Sequence, residues 1–165
     1  MTQDNFAAGN PVIEQFGKAH WIEGTVHVPD ANANATYRMV FSVSAPGKKP
    51  EAPHAGLERV ARAVNLYGMS GVTPDRLQCV AVIHGEATSS VLNDAQYQVI
   101  HGSPNPNARL IAALQAAGAE VSVCAQALIG NGFSQDALLP GVTRSLSALT
   151  TITVLQHDGY SLMPL

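Results

Sequence analysis

The stretch Ala119-Glu120-Val121-Ser122-Val123-Cys124-Ala125-Gln126-Ala127-Leu128-Ile129-Gly130-Asn131-Gly132-Phe133 decides the fold. Val121 and Val123 are β-branched and suit a strand, whereas from Ala125 onward the residues are small and apolar, as in a short helix. The order is strand, cysteine, helix. In open α/β sheets such a junction, at the carboxyl end of a strand, is where ligands and reacting groups gather, because the amides opening the next helix face the crevice. Those amides and the helix dipole favour a thiolate over a thiol, which makes Cys124 a candidate reactive sulfur. The same residue also fits the commoner role of a cysteine, a small inert group in the core.

Upstream, Leu77-Gln78-Cys79-Val80-Ala81-Val82-Ile83-His84 is a nearly continuous apolar run, the mark of a parallel strand covered on both faces. Cys79 lies inside it and reads as core. Tyr37 to Ser44 places Tyr37, Met39, Phe41 and Val43 on one face of a first core strand. Between these strands, His54 to Tyr67 carries Leu57, Val60, Ala61 and Val64 at helical spacing, with Gly68 as the expected terminator. Ala87 to Leu92 suggests a short helix and Asn93 to His101 has little pattern. Asn105-Pro106-Asn107 then offers a capping asparagine with proline at the first helical position, before an apolar face of Leu110, Ile111, Leu114 and Ala117.

Downstream, Val142 begins a short edge strand, and Leu146, Leu149, Ile152 and Leu155 predict a helix despite the β-branched run Thr150 to Val154. Tyr160 to Leu165 reads as a terminal strand. At the other end, residues 1 to 19 have no sustained period and read as an extended arm, and His20 to Val28 alternates like a half-buried surface strand. The division expected is an N-terminal extension over residues 1–36 and one α/β domain over 37–165. Its strands and helices alternate as a three-layer α/β/α sandwich with a mainly parallel sheet requires.

At 165 residues the chain suits one domain. Hydrophobic residues make up 46% and charged residues only 13%, with a mean hydropathy of +0.08, so apolar surface is expected to be covered in an oligomer. A net charge of -3 with scattered Lys and Arg provides no footprint for nucleic acid. No apolar run is long enough to predict a membrane span. Two cysteines are too few for a disulfide framework. Met1 to Phe6 has neither a basic nor an apolar region of a secretory signal, as would also be so for a trimmed mature form.

With parallel strands, their carboxyl ends bring together Ser44-Ala45, His84-Gly85-Glu86 and Cys124-Ala125-Gln126. A thiol beside an imidazole is the pairing that yields a thiolate at neutral pH, which makes His84 a second candidate. Glu86 is in turn a candidate to orient His84; the plainer reading is that His84 is a strand-end histidine satisfied by backbone and Glu86 the cap of the following turn. The candidate ligand-binding residues are Gln126, Gly85 and Asn105. The six histidines form no pair at three- or four-residue spacing and no Cys-x-x-Cys exists, so neither a metal site nor a cofactor is expected. Gly130-Asn131-Gly132 follows a helix rather than a strand and is a weak phosphate signal, and no Gly-x-Ser-x-Gly is present.

Val121-Ser122-Val123-Cys124-Ala125-Gln126-Ala127-Leu128, with Leu138-Leu139-Pro140-Gly141-Val142, Ser147-Ala148-Leu149, Leu155-Gln156 and Gly159-Tyr160, resembles the DsrE/DsrF-like family. Val82-Ile83-His84-Gly85 and Asn105-Pro106-Asn107-Ala108 fit the same pattern, from about Tyr37 to the end. The resemblance implies a five-stranded parallel sheet between helices, assembled into trimers or hexamers, without a cofactor. It also implies that Cys124 carries sulfur as a persulfide, exchanged with donor or acceptor proteins. The sequence is most similar to a branch whose members often carry an export signal, implying a periplasmic or exported protein if trimmed and a cytoplasmic one otherwise. Relatives in that branch often have glycine in place of Ala125 and Glu86, which leaves Glu86 without an implied role. The function expected is sulfur handling by Cys124. Its alternative is a non-catalytic module that binds a small ligand or partner, with Cys124 as a wall residue.

Overall fold

The computed structural model describes residues 7–8 and 10–165. Its centre is a five-stranded sheet made of β3 (Tyr37–Val43), β4 (Leu77–Ile83), β5 (Glu120–Cys124), β6 (Thr143–Ser145) and β7 (Ser161–Pro164), in the order β6-β5-β4-β3-β7. Every neighbouring pair is parallel. A separate two-stranded pairing joins β1 (Ala7–Ala8) to β2 (His20–Trp21).

Alternation along the strands divides the core in two. Met39, Phe41, Val43, Cys79, Ala81, Ile83, Val121 and Val123 belong to a large cluster with Leu57 and Val60 of α1 (Ala55–Met69) and Leu110, Ile111 and Leu114 of α3 (Ala108–Ala116). Val40, Val80, Val82 and Cys124 point the other way, into a smaller cluster with Ala148 of α5 (Ala148–His157), against which Ile152 and Leu155 pack. The fold is therefore the expected three-layer sandwich, with α1, α3 and the larger core on one face and α5 on the other. Among the described residues no helix is long and apolar enough to cross a membrane.

Several local expectations are corrected. Residues 10 to 19 are not extended: Ile13 and Ala19 are buried and the segment bends over α1. Asn65, fully buried on α1, accepts from the Val12 and Ile13 amides and donates to the carbonyls of Ile13, Phe16 and Gly17. Phe6, also assigned to that arm, lies outside the described residues. The alternation of Ile22, Val26 and Val28 makes no strand beyond Trp21, since all three side chains are exposed and lack a face to bury. Helix α1 continues through Gly68 and is capped by Ser70, whose amide donates to the carbonyls of Leu66 and Gly68. The patternless Asn93 to His101 is α2 (Asp94–His101), capped by the Asn93 side chain.

Candidate functional site

The carboxyl ends of β3, β4 and β5 lie side by side, with Val43 opposite Ile83 and Ile83 opposite Val123. One residue beyond, His84 and Cys124 stand at the same level on adjacent strands, and their parity puts both on the α5 face. The strand ends hold because their backbone groups are paired: the His84 amide donates to Val43 O at 3.0 Å and the Leu165 amide donates to Ser42 O at 2.9 Å.

Cys124 closes β5 and opens the short helix α4 (Ala125–Gly130), as its sequence context predicts. The residue is 5% exposed and packs with Val40, Val80, Val82 and Ala148, so the start of α5 covers it. Cys79 is equally buried, and exposure does not separate the two cysteines. Surroundings do. Cys79 lies within β4 in the large apolar core, where desolvation pushes its thiol up to about 12. Cys124 lies where strand turns into helix, one strand from an imidazole.

The His84 ring is half-buried, and desolvation lowers its proton affinity from the ordinary histidine value. Its Nε2 is 2.9 Å from Ser42 Oγ, which aims the ring toward β3, while Cys124 sits on the strand at its other side. Imidazole and thiol thus share a level and a face, and the hydrogen bond made by the ring goes to Ser42. Ser42 was not singled out from sequence. The available signal was a polar residue on the same parity as His84 within the otherwise apolar Met39 to Val43.

Gly85 follows His84 with φ +56, and a Cβ there would come within 3.2 Å of Ser44 O, so glycine lets the chain turn against β3. A 3-10 helix then runs from Gly85 to Val91, carrying Glu86 exposed in its first turn. Gln126 is exposed on α4. Asn105 is buried and fully engaged: its amide donates to Ser90 O and Leu92 O, and its oxygen accepts from the backbone and side-chain amides of Asn107. That clasp shapes the start of α3, and no polar group of Asn105 remains for a ligand.

No curated protein matches the chain. Among solved structures, a protein of unknown function, MTH1491 from Methanobacterium thermoautotrophicum, is similar with a TM-score of 0.59 and 19% identity, over 78% of this chain and 99% of that one. The ychN protein from E. coli is similar with a TM-score of 0.56 and 15% identity, over 79% of this chain and 100% of that one. At such identities the likeness is one of fold alone. A family model matches residues 38–165, from the start of β3 to the last residue and including Ser42, His84 and Cys124: the chain belongs to the DsrE/DsrF-like family.

Proposed function

We propose that the protein handles sulfane sulfur, with Cys124 as the carrier. The observation that supports this most is the place of Cys124 in the family-matched segment, ending β5 where strand gives way to helix. In the loading step the Cys124 thiolate attacks the terminal sulfur of a hydropolysulfide. A bond forms between Cys124 Sγ and that sulfur, the adjacent S–S bond of the donor breaks, and the shortened donor leaves as an anion. The acceptor thiolate repeats the displacement on the outer sulfur of the persulfide and returns Cys124 as thiolate. No net oxidation occurs and no cofactor takes part. The neutral imidazole of His84, held by Ser42, is placed to take up the thiol proton once the ring turns toward β5.

One observation favours the alternative reading of a wall residue: only 5% of Cys124 is exposed, beneath Ala148. Loading therefore requires the start of α5 to give way. Treatment of the native chain with polysulfide, followed by intact-mass measurement, separates the readings. Sulfur handling expects additions in one-sulfur steps that vanish in Cys124→Ser and persist in Cys79→Ser. Additions that persist in Cys124→Ser and vanish in Cys79→Ser would reverse the assignment, and no addition to the native chain favours the wall residue.

The working unit in this reading is a homo-oligomer, trimeric or hexameric as in the family resemblance. Support comes from the outer side of α5, where Leu149 is 81% and Val154 58% exposed and no Asp, Glu, Lys or Arg occurs between residues 148 and 157.

A further inference from the structure

Helix α1 opens on a histidine. The His54 backbone is extended, as at a helix cap, its carbonyl accepts from the Glu58 amide at 3.0 Å, and its ring Nδ1 accepts from the Gly56 amide at 3.0 Å. The other ring nitrogen, Nε2, is 2.8 Å from Ala45 O in the loop after β3, and the His54 amide donates to Asn107 Oδ1 at 2.7 Å. A carbonyl oxygen only accepts and a backbone amide only donates, so these contacts fix one form of the ring, neutral with its proton on Nε2. The residue is 5% exposed. Its neighbours leave room for nothing larger: a Cβ added at Gly56 would come within 3.1 Å of ring Cε1 and Nδ1 and 2.8 Å of Val43 Cγ1, and one added at Gly47 would lie 3.6 Å from ring Cδ2.

One imidazole thus joins two elements: it caps α1 and ties the loop of residues 45 to 53 back onto that helix. A proton added at Nδ1 would set two donors, the ring N–H and the Gly56 N–H, against each other and remove the cap. A second anchor of the loop, the Tyr97 hydroxyl donating to Pro50 O at 2.7 Å, keeps its proton throughout the acid range. The charged and titratable groups around the ring come from every side. Lys49 of the loop, Glu86 of the 3-10 helix, and Tyr97 and His101 of α2 line the same cavity as His54, Glu58 follows one turn along α1, and α3 contributes only the uncharged Asn107. Among the described residues none of these groups hydrogen-bonds the ring, whose two partners are both backbone.

We propose that His54 is an acid-released latch: the neutral ring holds the loop after β3 against α1, and its protonation uncaps the helix and frees the loop, beside the strand ends where His84 and Cys124 stand. The latch does not depend on sulfur handling. Hydrogen exchange of the full chain, read by mass spectrometry on peptides spanning residues 45 to 58 and corrected for the pH dependence of the exchange chemistry, tests it. Between about pH 7.5 and about pH 5.5 that segment is expected to lose at least about tenfold more protection than β4. His54→Asn and His54→Ser each supply a helix cap that does not titrate, and each should remove the acid response of the segment. His101→Gln and His84→Gln take away the histidines of the cavity wall and the strand end, and both should leave that response in place. The proposal is overturned if the segment in the native chain loses no more protection than β4, if both cap variants keep the native response, or if the response disappears in His101→Gln or His84→Gln.

Discussion

Because burial lowers the His84 proton affinity, the ring is neutral near pH 7, the form able to accept a proton from a thiol. If it serves Cys124, His84→Ala slows iodoacetamide alkylation of Cys124 near pH 7 and leaves the high-pH rate little changed; profiles from about pH 5 to about pH 10 that superimpose would exclude that service. The same shift predicts a stability trend. Below the ordinary histidine value of 6.5 the unfolded chain takes up a proton that the folded chain resists, so the His84 contribution is fully present above that value and is lost as pH falls through the lower folded-state value. The urea midpoint of the native chain should fall over that window, and His84→Gln should remove that part of the decline. Cys79, pushed up to about 12, should remain unreactive toward a thiol reagent until the chain unfolds. The candidate pair was legible from sequence because both residues end apolar runs. Ser42 was not, because a hydroxyl one position before a strand end looks the same whether it meets solvent or an imidazole.

Helix α1 holds the N-terminal segment through one polar side chain, so that segment's attachment rests on Asn65 rather than on periodicity. Asn65→Ala would leave one buried and one half-buried amide and three carbonyls without this partner and should cost about 3 kcal/mol, read as a lower chemical-denaturation midpoint. Gly17 is a second fixed point, with φ +65 and an added Cβ only 2.3 Å from the backbone of Ala61. Gly17→Ala should lower the midpoint through strain and displacement together, whereas a midpoint matching the native chain would show that the segment adapts. Pattern failed here because Ile13 and Ala19 are buried singly, the first within a bend and the second just before β2, with exposed or half-buried residues on either side. It failed at α2 because only Tyr97 is buried there while Val99 and Ile100 are exposed, leaving no apolar stripe. The signals that did mark α2 were its ends, the Asn93 cap and the left-handed Gly102. Strands β4 and β5 were readable because burial on both faces demands apolar runs.

Helix α5 packs its inner side on the smaller core cluster and leaves Leu149 and Val154 exposed on its outer side. Light scattering at micromolar concentration is expected to give a multiple of the 17.3 kDa chain mass, and the double change Leu149→Lys and Val154→Lys is expected to lower it. A single-chain mass for the native protein would remove the oligomer, and an unchanged multiple in the double variant would place the contact elsewhere. The parallel architecture was legible from the alternation of buried strands and helices, but the strand order was not, because crossover lengths alone do not say which side of β3 the last strand joins. It joins the free side, away from β4. This has a consequence during synthesis. β3 emerges from the ribosome well over a hundred residues before β7, on the order of ten seconds at roughly 10 residues per second, and for that interval one of its edges has only solvent or another molecule to pair with. The nascent chain is therefore most exposed to mispairing, and most in need of a chaperone, along Met39 to Ser42, the residues that β7 finally covers.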